Sequence, residues 1–469
     1  MAKKLFALEE LNEEVIAPES TDEVSETEAQ SELESAGAEV DDVQDQVDHA
    51  VEVADTLDSI GGSLSEMKPE ETIPEPALEA LHLAVDGLLS SIGMQSKQRG
   101  VALESFKKST TALESMESIK EVAKKIWAKI VAFFKSVVKA IGEFINKMRL
   151  SNEGLRKRAE KLVSLAHTHQ SDRTEAGAKI KSAALAKFLQ TPDGSAEGSE
   201  FLQALKKHTG AIKVVQESTL KLGEEGITAL EASLEAATDI PLADTPKNGP
   251  GKSARSLAEE AAQPYFTTPD KYTTRNKAIS AKFGNHFIVR EYPMVFGAAS
   301  MYVVLFNGSV LGADEPLTGA DLSKITVFMD NAEVTTESSD VDVIPLSDIE
   351  KVAAEVLTST KAMSELVKAS TDIVKKLDAV ATTAAKMITQ VWPTERRFDT
   401  ESLNAIFAIG TAGSRFVSNA IKNVQFYDMK VAKCALDYVE ASLKLTTKTE
   451  GETVDEVKKT NTKQLAFSK

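Results

Sequence analysis

The clearest pattern along the chain is a run of apolar residues that recurs every three or four positions between Ile119 and Leu150. Because an α-helix turns once every 3.6 residues, this spacing predicts one long helix with a single apolar stripe. The stripe comprises Ile119, Val122, Ile126, Ile130, Phe133, Val137, Ile141, Phe144 and Met148. Lysines fall on the opposite face and its flanks, so the predicted helix is both amphipathic and cationic.

The same periodicity predicts further helices on either side of this one. They run from Glu75 to Ile92, Glu153 to Leu189, Phe201 to Ala237, Ser347 to about Val391 and Thr400 to about Leu445. The last two are separated by a short segment that contains Pro393, which interrupts helices. We therefore expect residues 346–446 to form an antiparallel helical hairpin.

A different pattern occupies residues 282–345, where β-branched and aromatic residues follow one another in short runs. The runs are His286-Phe-Ile-Val-Arg, Met301-Tyr-Val-Val-Leu-Phe and Lys324-Ile-Thr-Val-Phe-Met. They predict a sheet of three to five strands, with a hairpin turn at Asn307-Gly308. The Pro-, Gly-, Thr- and Lys-rich stretch before it, at 241–281, is typical of a linker.

Charge sets the first part of the chain apart. The first 100 residues hold 25 Asp or Glu and only 5 Lys or Arg, whereas the net charge of the whole chain is −18. Between Leu5 and Met67 there is no Lys or Arg at all. A segment of this composition buries little apolar surface to offset chain entropy, so we expect residues 5–72 to be mobile or only transiently helical.

Together these patterns predict a mainly α fold, a helical bundle or set of hairpins with a small inserted β-sheet and an acidic disordered N-terminal leader. The predicted segments are an acidic leader or propeptide at 1–104, a helical region with the cationic helix at 105–240, the linker at 241–281, the β-rich unit at 282–345, the hairpin at 346–446 and a polar tail at 447–469.

The cationic helix allows three interpretations. It is a bundle helix with a solvated basic face, or a sequence-independent contact with nucleic acid phosphates. Alternatively it lies on a membrane surface, with Trp127, Phe133, Phe134 and Phe144 at the interface. The candidate DNA-contact face consists of Lys120, Lys124, Lys125, Lys129, Lys135 and Lys139.

No catalytic, cofactor-binding or metal-binding residues are predicted. The stretch Asn248-Gly-Pro-Gly-Lys-Ser253 resembles the end of a phosphate-binding loop, but Pro246 stands where that motif requires glycine. His167 and His169 lie on different helix faces with no third ligand nearby, and Cys434 has the spacing of a buried helical residue. We expect no enzyme, no cofactor and no transmembrane segment.

One short motif recurs where the acidic leader meets the cationic helix. Ala-Leu-Glu ends at Glu104 in Val-Ala-Leu-Glu-Ser-Phe and at Glu114 in Thr-Ala-Leu-Glu-Ser-Met, and Ser-Met-Glu ends at Glu117. Related small-x-Glu forms occur earlier, at Gly37 to Glu39 and Ala77 to Glu79. An acidic leader, such a junction and a helix like Ile126-Trp-Ala-Lys-Ile-Val-Ala-Phe-Phe-Lys135 resemble the internal head proteins of giant (jumbo) tailed bacteriophages.

The resemblance implies a structural protein of the virion, packed inside the head after assembly in the host cytoplasm. It implies prohead core and capsid proteins as partners and a head-maturation protease that cuts after small-x-Glu sites. Packaged DNA is a further partner under the nucleic-acid interpretation of the lysine face. By that resemblance Glu104, Glu114 and Glu117 are the candidate cleavage sites.

Two alternatives belong to other classes of protein. One is a host-directed effector delivered with the genome, whose active body lies at 266–445 and carries an exposed pocket of ionisable groups. The other is a helical adaptor protein, for which a persistent heptad seam and dimerisation are expected.

Overall fold

The computed structural model describes residues 21–104, 109, 111–168, 178–238, 259–274, 276–309, 324–331, 339–386 and 400–446. The helices are α1 (Thr21–Ser65), α2 (Glu75–Ser91), α3 (Ser96–Leu103), α4 (Ala112–Thr168), α5 (Ala183–Phe188), α6 (Phe201–Thr238), α7 (Lys277–Phe283), α8 (Leu346–Lys386) and α9 (Thr400–Thr446). The strands are β1 (Lys179–Lys181), β2 (Gln190–Thr191), β3 (Gly194–Ser195), β4 (Phe266–Thr267), β5 (Phe287–Pro293), β6 (Ala299–Asn307), β7 (Thr326–Asn331) and β8 (Asp340–Asp342).

The five long helices pack side by side, with α4 at the centre. Helix α4 contacts α1, α8 and α9, and α6 contacts α8 and α9 on the far side. Its apolar stripe is the middle of the core, where Val122, Ile126 and Val137 are completely buried. The predicted mainly α bundle is confirmed, and α4 is a single helix that extends well beyond both ends of the predicted Ile119 to Leu150 segment.

The predicted sheet is also present, with β6 as its central strand. Strand β6 pairs antiparallel with β5 and with β7, and its last two residues pair in parallel with β4. The sheet packs on α9, where the Asn423 amide donates to the Val327 carbonyl at 3.0 Å. The tight turn lies between β5 and β6, at Gly297 and Ala298, which have φ values of 68° and 46°. Asn307-Gly308 is therefore not a two-residue hairpin turn, because β6 pairs next with β7, which begins only at Thr326.

The sequence predicts a linker over residues 241–281, but the second half of this range contributes to the folded core. Tyr265 is buried between α6 and α9, and Phe266 begins strand β4. A Cβ at Gly226 would lie 2.1 Å from the Tyr265 hydroxyl, and one at Gly413 would lie 2.8 Å away. Glycine is thus required on both helices so that the phenol ring fits between them, and burial raises the pKa of Tyr265.

The expectation that residues 5–72 are mobile is wrong over residues 21–65, which form helix α1. Residues 5–20 lie outside the described residues. Helix α1 forms because a heptad repeat of apolar side chains buries a narrow seam, and its described carboxylates lie outside that seam. The repeat places Leu33, Val40, Val47, Ala54 and Gly61 at one heptad position and Ala36, Val43, Ala50, Leu57 and Leu64 at the other.

Candidate functional site: the acidic helix and the cationic helices

Helix α1 lies in the groove between α4 and α9. Its seam residues Leu33, Val47 and Leu57 are at most 1% exposed. Gly37 packs against the Phe426 ring of α9, and Gly61 packs against Ile119 near the start of α4. The acidic segment is therefore an integral part of the core in the uncut chain.

Charged and polar contacts hold α1 to α9. Asp48 forms an ion pair with Arg415, and Asp41 forms one with Lys422. Both cations are largely buried, and burial lowers the pKa of the Arg415 guanidinium while the nearby Asp45 carboxylate opposes that shift. Between the two pairs, Gln44 accepts a hydrogen bond from the Ser414 hydroxyl at 3.1 Å. Without α1, two cations of α9 would lose their carboxylate partners.

None of the predicted DNA-contact lysines belongs to the buried stripe of α4, but they differ in how exposed they are. Lys120, Lys135 and Lys139 are exposed. The other three, Lys124, Lys125 and Lys129, are half-buried. Helix α4 as a whole carries 12 Lys or Arg and 6 Asp or Glu, so the helix has a net positive charge.

The three candidate cleavage residues lie in different local structures. Glu104 follows the last residue of α3 and is exposed. Glu114 belongs to a capping box at the start of α4, in which Thr111 N–H donates to its carboxylate at 3.2 Å and its own N–H donates to the Thr111 hydroxyl at 3.3 Å. Glu117 lies one turn further inside α4.

The residues that follow these three glutamates distinguish them further. Ser115 and Ser118, which follow Glu114 and Glu117, are buried at 0% and 4% exposure. Ser118 also shares a hydrogen bond of 3.0 Å with Ser109. Residues 105–108, after Glu104, lie outside the described residues.

A comparison with known protein families identifies the family to which this chain belongs. The family model of the phiKZ-like phage internal head proteins matches residues 19–441, which include α1, the junction, α4 and most of α9. The chain belongs to this family. It is therefore an internal protein of the phage head and lies inside the virion head among the other head components. Neither the curated proteins nor the solved structures include a significant match.

One group of residues in this internal head protein has the composition of a hydrolase triad. His208 Nε2 and Ser359 Oγ both hydrogen-bond to Oδ1 of Asp428, at 2.9 and 3.1 Å. All three side chains are at most 4% exposed. Serine is bonded to the aspartate and not to the histidine, so the imidazole of this group does not activate its hydroxyl as a nucleophile. The group links α6, α8 and α9 inside the core. Sequence reasoning missed it because its members lie far apart in the chain.

Other candidate chemistry receives no support from the described residues. Within them no three His, Cys, Asp or Glu side chains come together as a metal site. Cys434 is fully buried, and burial raises the pKa of its thiol to about 12. In the part of the chain that the structure describes, no helix has the length and apolar character needed to cross a membrane.

The aromatic residues of the membrane-surface interpretation are mostly interior. Trp127, Phe134 and Phe144 are 1%, 6% and 2% exposed, and Phe144 packs edge-on against Phe426 of α9. Phe133 is half-buried beneath the Lys129 ammonium, 4.5 Å from the ring centroid. The apolar stripe of α4 is thus used inside the protein, as the first interpretation of this helix requires.

Proposed function

We propose that this internal head protein is a structural, non-enzymatic component of the prohead, packed with core and capsid proteins and cut near its N-terminus by the head-maturation protease. The observation that carries the proposal is the packing of an acidic N-terminal helix against a cationic helix. Helix α1 contains 14 Asp or Glu and no Lys or Arg, and it packs against the cationic helix α4.

Cleavage after Glu104 reverses the sign of the net charge. The chain up to Glu104 holds 26 acidic and 5 basic residues, and the remainder holds 46 acidic and 49 basic residues. The net charge of the covalent chain therefore changes from −18 to +3. Removing the acidic segment lowers the repulsion between the protein and DNA that enters the head.

Among the three candidate sites we propose Glu104 as the first to be cut. Proteolysis favours exposed backbone outside regular structure. Glu104 meets this condition at the end of α3, whereas cutting after Glu114 or Glu117 requires the first turns of α4 to unfold.

A single cut after Glu104 does not by itself release α1, because its seam and its ion pairs with α9 persist. We propose that complete removal needs a second cut inside α1, after Glu39 in Gly37-Ala38-Glu39. Glu39 is exposed, but it lies inside α1 and its neighbour Val40 is buried. This second cut therefore requires local unfolding of α1, and it follows the cut after Glu104. Cutting there divides the heptad seam into two shorter helices, each with fewer buried contacts.

We further propose that the trimmed body contacts packaged DNA without sequence specificity through the lysines of α4. A basic face with no base-reading groups is sufficient for phosphate neutralisation. Changing Lys124, Lys125, Lys129 and Lys135 to Gln should weaken duplex binding by the processed protein. It should also lower the slope of log affinity against log salt by about 0.9 for each phosphate that the protein no longer neutralises.

Mass spectrometry of the termini of the protein in purified particles tests the processing. The proposal predicts a new N-terminus at Ser105 and, in immature particles, peptides that end at Glu39. Uncut peptides that span the Glu104–Ser105 bond, as the major species in mature particles, would contradict it.

No described residue favours the helical adaptor. The heptad seam expected of such a protein exists in α1, but α4 and α9 of the same chain cover it. The delivered effector predicts an exposed pocket of ionisable groups, and one cleft with such a lining lies between α4 and α8.

A further inference from the structure

The cleft between α4 and α8 has a volume of about 260 Å³. Its charged lining residues are Arg149, Glu153 and Arg156 from α4 and Lys368 from α8. Three cations thus converge with one carboxylate, and their mutual repulsion makes the cleft favourable for an anion. The four charged side chains are exposed, so an ion can reach them from solvent.

Arg149 differs from the other arginines that the structure describes. Arg99, Arg156, Arg158, Arg290 and Arg415 each form an ion pair with a carboxylate. Arg149 forms none with any described residue, even though Arg158 on the same helix binds both Asp437 and Glu440. Lys368 likewise forms no ion pair with a described carboxylate. Two cations of one cleft are therefore available to a ligand.

The floor of the cleft contributes a hydrogen-bond acceptor. Asn152 is 3% exposed, and its amide N–H groups donate to the Thr360 carbonyl and the Ser364 hydroxyl, each at 2.8 Å. These two bonds fix which end of the amide is nitrogen. Its Oδ1 has no hydrogen-bond partner among the described residues. A buried acceptor without a partner is unfavourable, so a ligand that supplies a donor is stabilised there. Because less than 1 Å² of Oδ1 is accessible to solvent, a donor reaches it only when the cleft opens further.

We propose that this cleft is a phosphate-binding site, in which Arg149, Arg156 and Lys368 hold the anion and Asn152 Oδ1 accepts a hydrogen bond from its P–OH group. Guanidinium groups match the geometry of phosphate oxygens and bind them through two parallel N–H bonds. Hydrogenphosphate keeps one proton at neutral pH, whereas sulfate has the same shape without it.

The cleft contains no serine or cysteine activated by an adjacent base, because the Ser364 hydroxyl donates to the Thr360 carbonyl. It is therefore a binding site and not the active site expected of a delivered enzyme. All its lining residues follow Glu104 in the chain, so the site is present before and after the proposed cleavage. Failure of phosphate binding would leave the terminal peptides unchanged, and the two proposals fail separately.

The test is isothermal titration of the full chain with inorganic phosphate and with sulfate at equal ionic strength. Phosphate should bind at least tenfold more tightly than sulfate. Arg149→Gln and Lys368→Gln should each weaken phosphate binding by about tenfold, and Glu153→Gln should strengthen it. Lys157→Gln is the matched control, because it removes one positive charge from the same exposed stretch of α4 outside the cleft, and it should change little.

A second titration with a short DNA duplex at several salt concentrations distinguishes the source of the phosphate. Weaker duplex binding and a smaller salt dependence for Arg149→Gln than for Lys157→Gln would show that the cations of the cleft hold a DNA phosphodiester, which has no P–OH group, and would overturn the role of Asn152. An effect on inorganic phosphate alone would identify the free ion. Equal affinity for phosphate and sulfate would overturn the role of Asn152, and phosphate binding that is absent or unaffected by Arg149→Gln would overturn the site.

Discussion

The seam of α1 predicts that a chain cut once at the junction stays together. A specific protease site inserted between Glu104 and Ala112 allows the cut to be made in vitro. The fragment that contains α1 to α3 should then co-elute with the body in gel filtration, because the heptad residues and the ion pairs to Arg415 and Lys422 are unaffected by the cut.

The strength of this association is sensitive to single seam residues. Leu57 is 0% exposed, and replacing a fully buried leucine by alanine costs about 2–5 kcal/mol. A loss of about 3 kcal/mol corresponds to a dissociation constant raised by roughly 100-fold. Leu57→Ala should therefore release the cut fragment at a protein concentration at which the unmodified fragment remains bound.

Thr56→Ala provides the control, because Thr56 is the exposed neighbour of Leu57. Its hydroxyl donates only to the Glu52 carbonyl of the same helix, so the cut Thr56→Ala protein should co-elute like the unmodified one. Separation of the unmodified fragments at micromolar concentration, or identical elution of the Leu57→Ala and Thr56→Ala proteins, would refute the reasoning.

Three further predictions concern the body. Ile130→Asp should destabilise the fold by about 3 kcal/mol or more, since Ile130 is 1% exposed and lines a small apolar cavity with Leu230 and Val380. Equal melting temperatures for mutant and wild type would show that the apolar stripe of α4 is not part of the core. The Gln variant at Lys124, Lys125, Lys129 and Lys135 should have a melting temperature only slightly below that of wild type, because charges in contact with solvent contribute little to stability, although Lys129 also loses its contact with the Phe133 ring. A large decrease would place these lysines in the structural interior. Burial raises the pKa of the Cys434 thiol to about 12, so this thiol should resist alkylation at pH 8 in the native protein and react after unfolding. The unfolded thiol loses its proton near its ordinary pKa of about 8.5, whereas the folded thiol stays protonated. The free energy of unfolding should therefore fall as the pH rises above about 8.5.

How far the sequence predicts this fold depends on how strongly each residue pattern contrasts with its surroundings. Helix α4 is predictable because large apolar residues alternate with lysines at helical spacing. Strand β6 is predictable because Met301 to Phe306 is a continuous β-branched and aromatic run. Helix α1 was missed because its seam consists mostly of Ala and Val among 14 carboxylates, a composition typical of disorder. A search for heptads, in place of composition, would have found it.

Features that depend on distant pairing are beyond local sequence patterns. Strand β4 has only two residues, and it is a strand because Phe266 pairs with Phe306. The His208, Ser359 and Asp428 group and the cleft beside Arg149 each combine helices that are far apart in the chain. The lysine face was predictable, whereas the cations that α1 covers, Arg415 and Lys422, carry no local signal that separates them from other basic residues.

The most direct test of the account is the N-terminus of this protein in purified mature particles. Terminal peptide sequencing should find the chain beginning at Ser105, with peptides from residues 5–67 scarce or absent. A chain that begins at its original N-terminus, with abundant peptides from residues 5–67 and an intact Glu104–Ser105 bond, would contradict the proposal that the acidic segment is removed during head maturation.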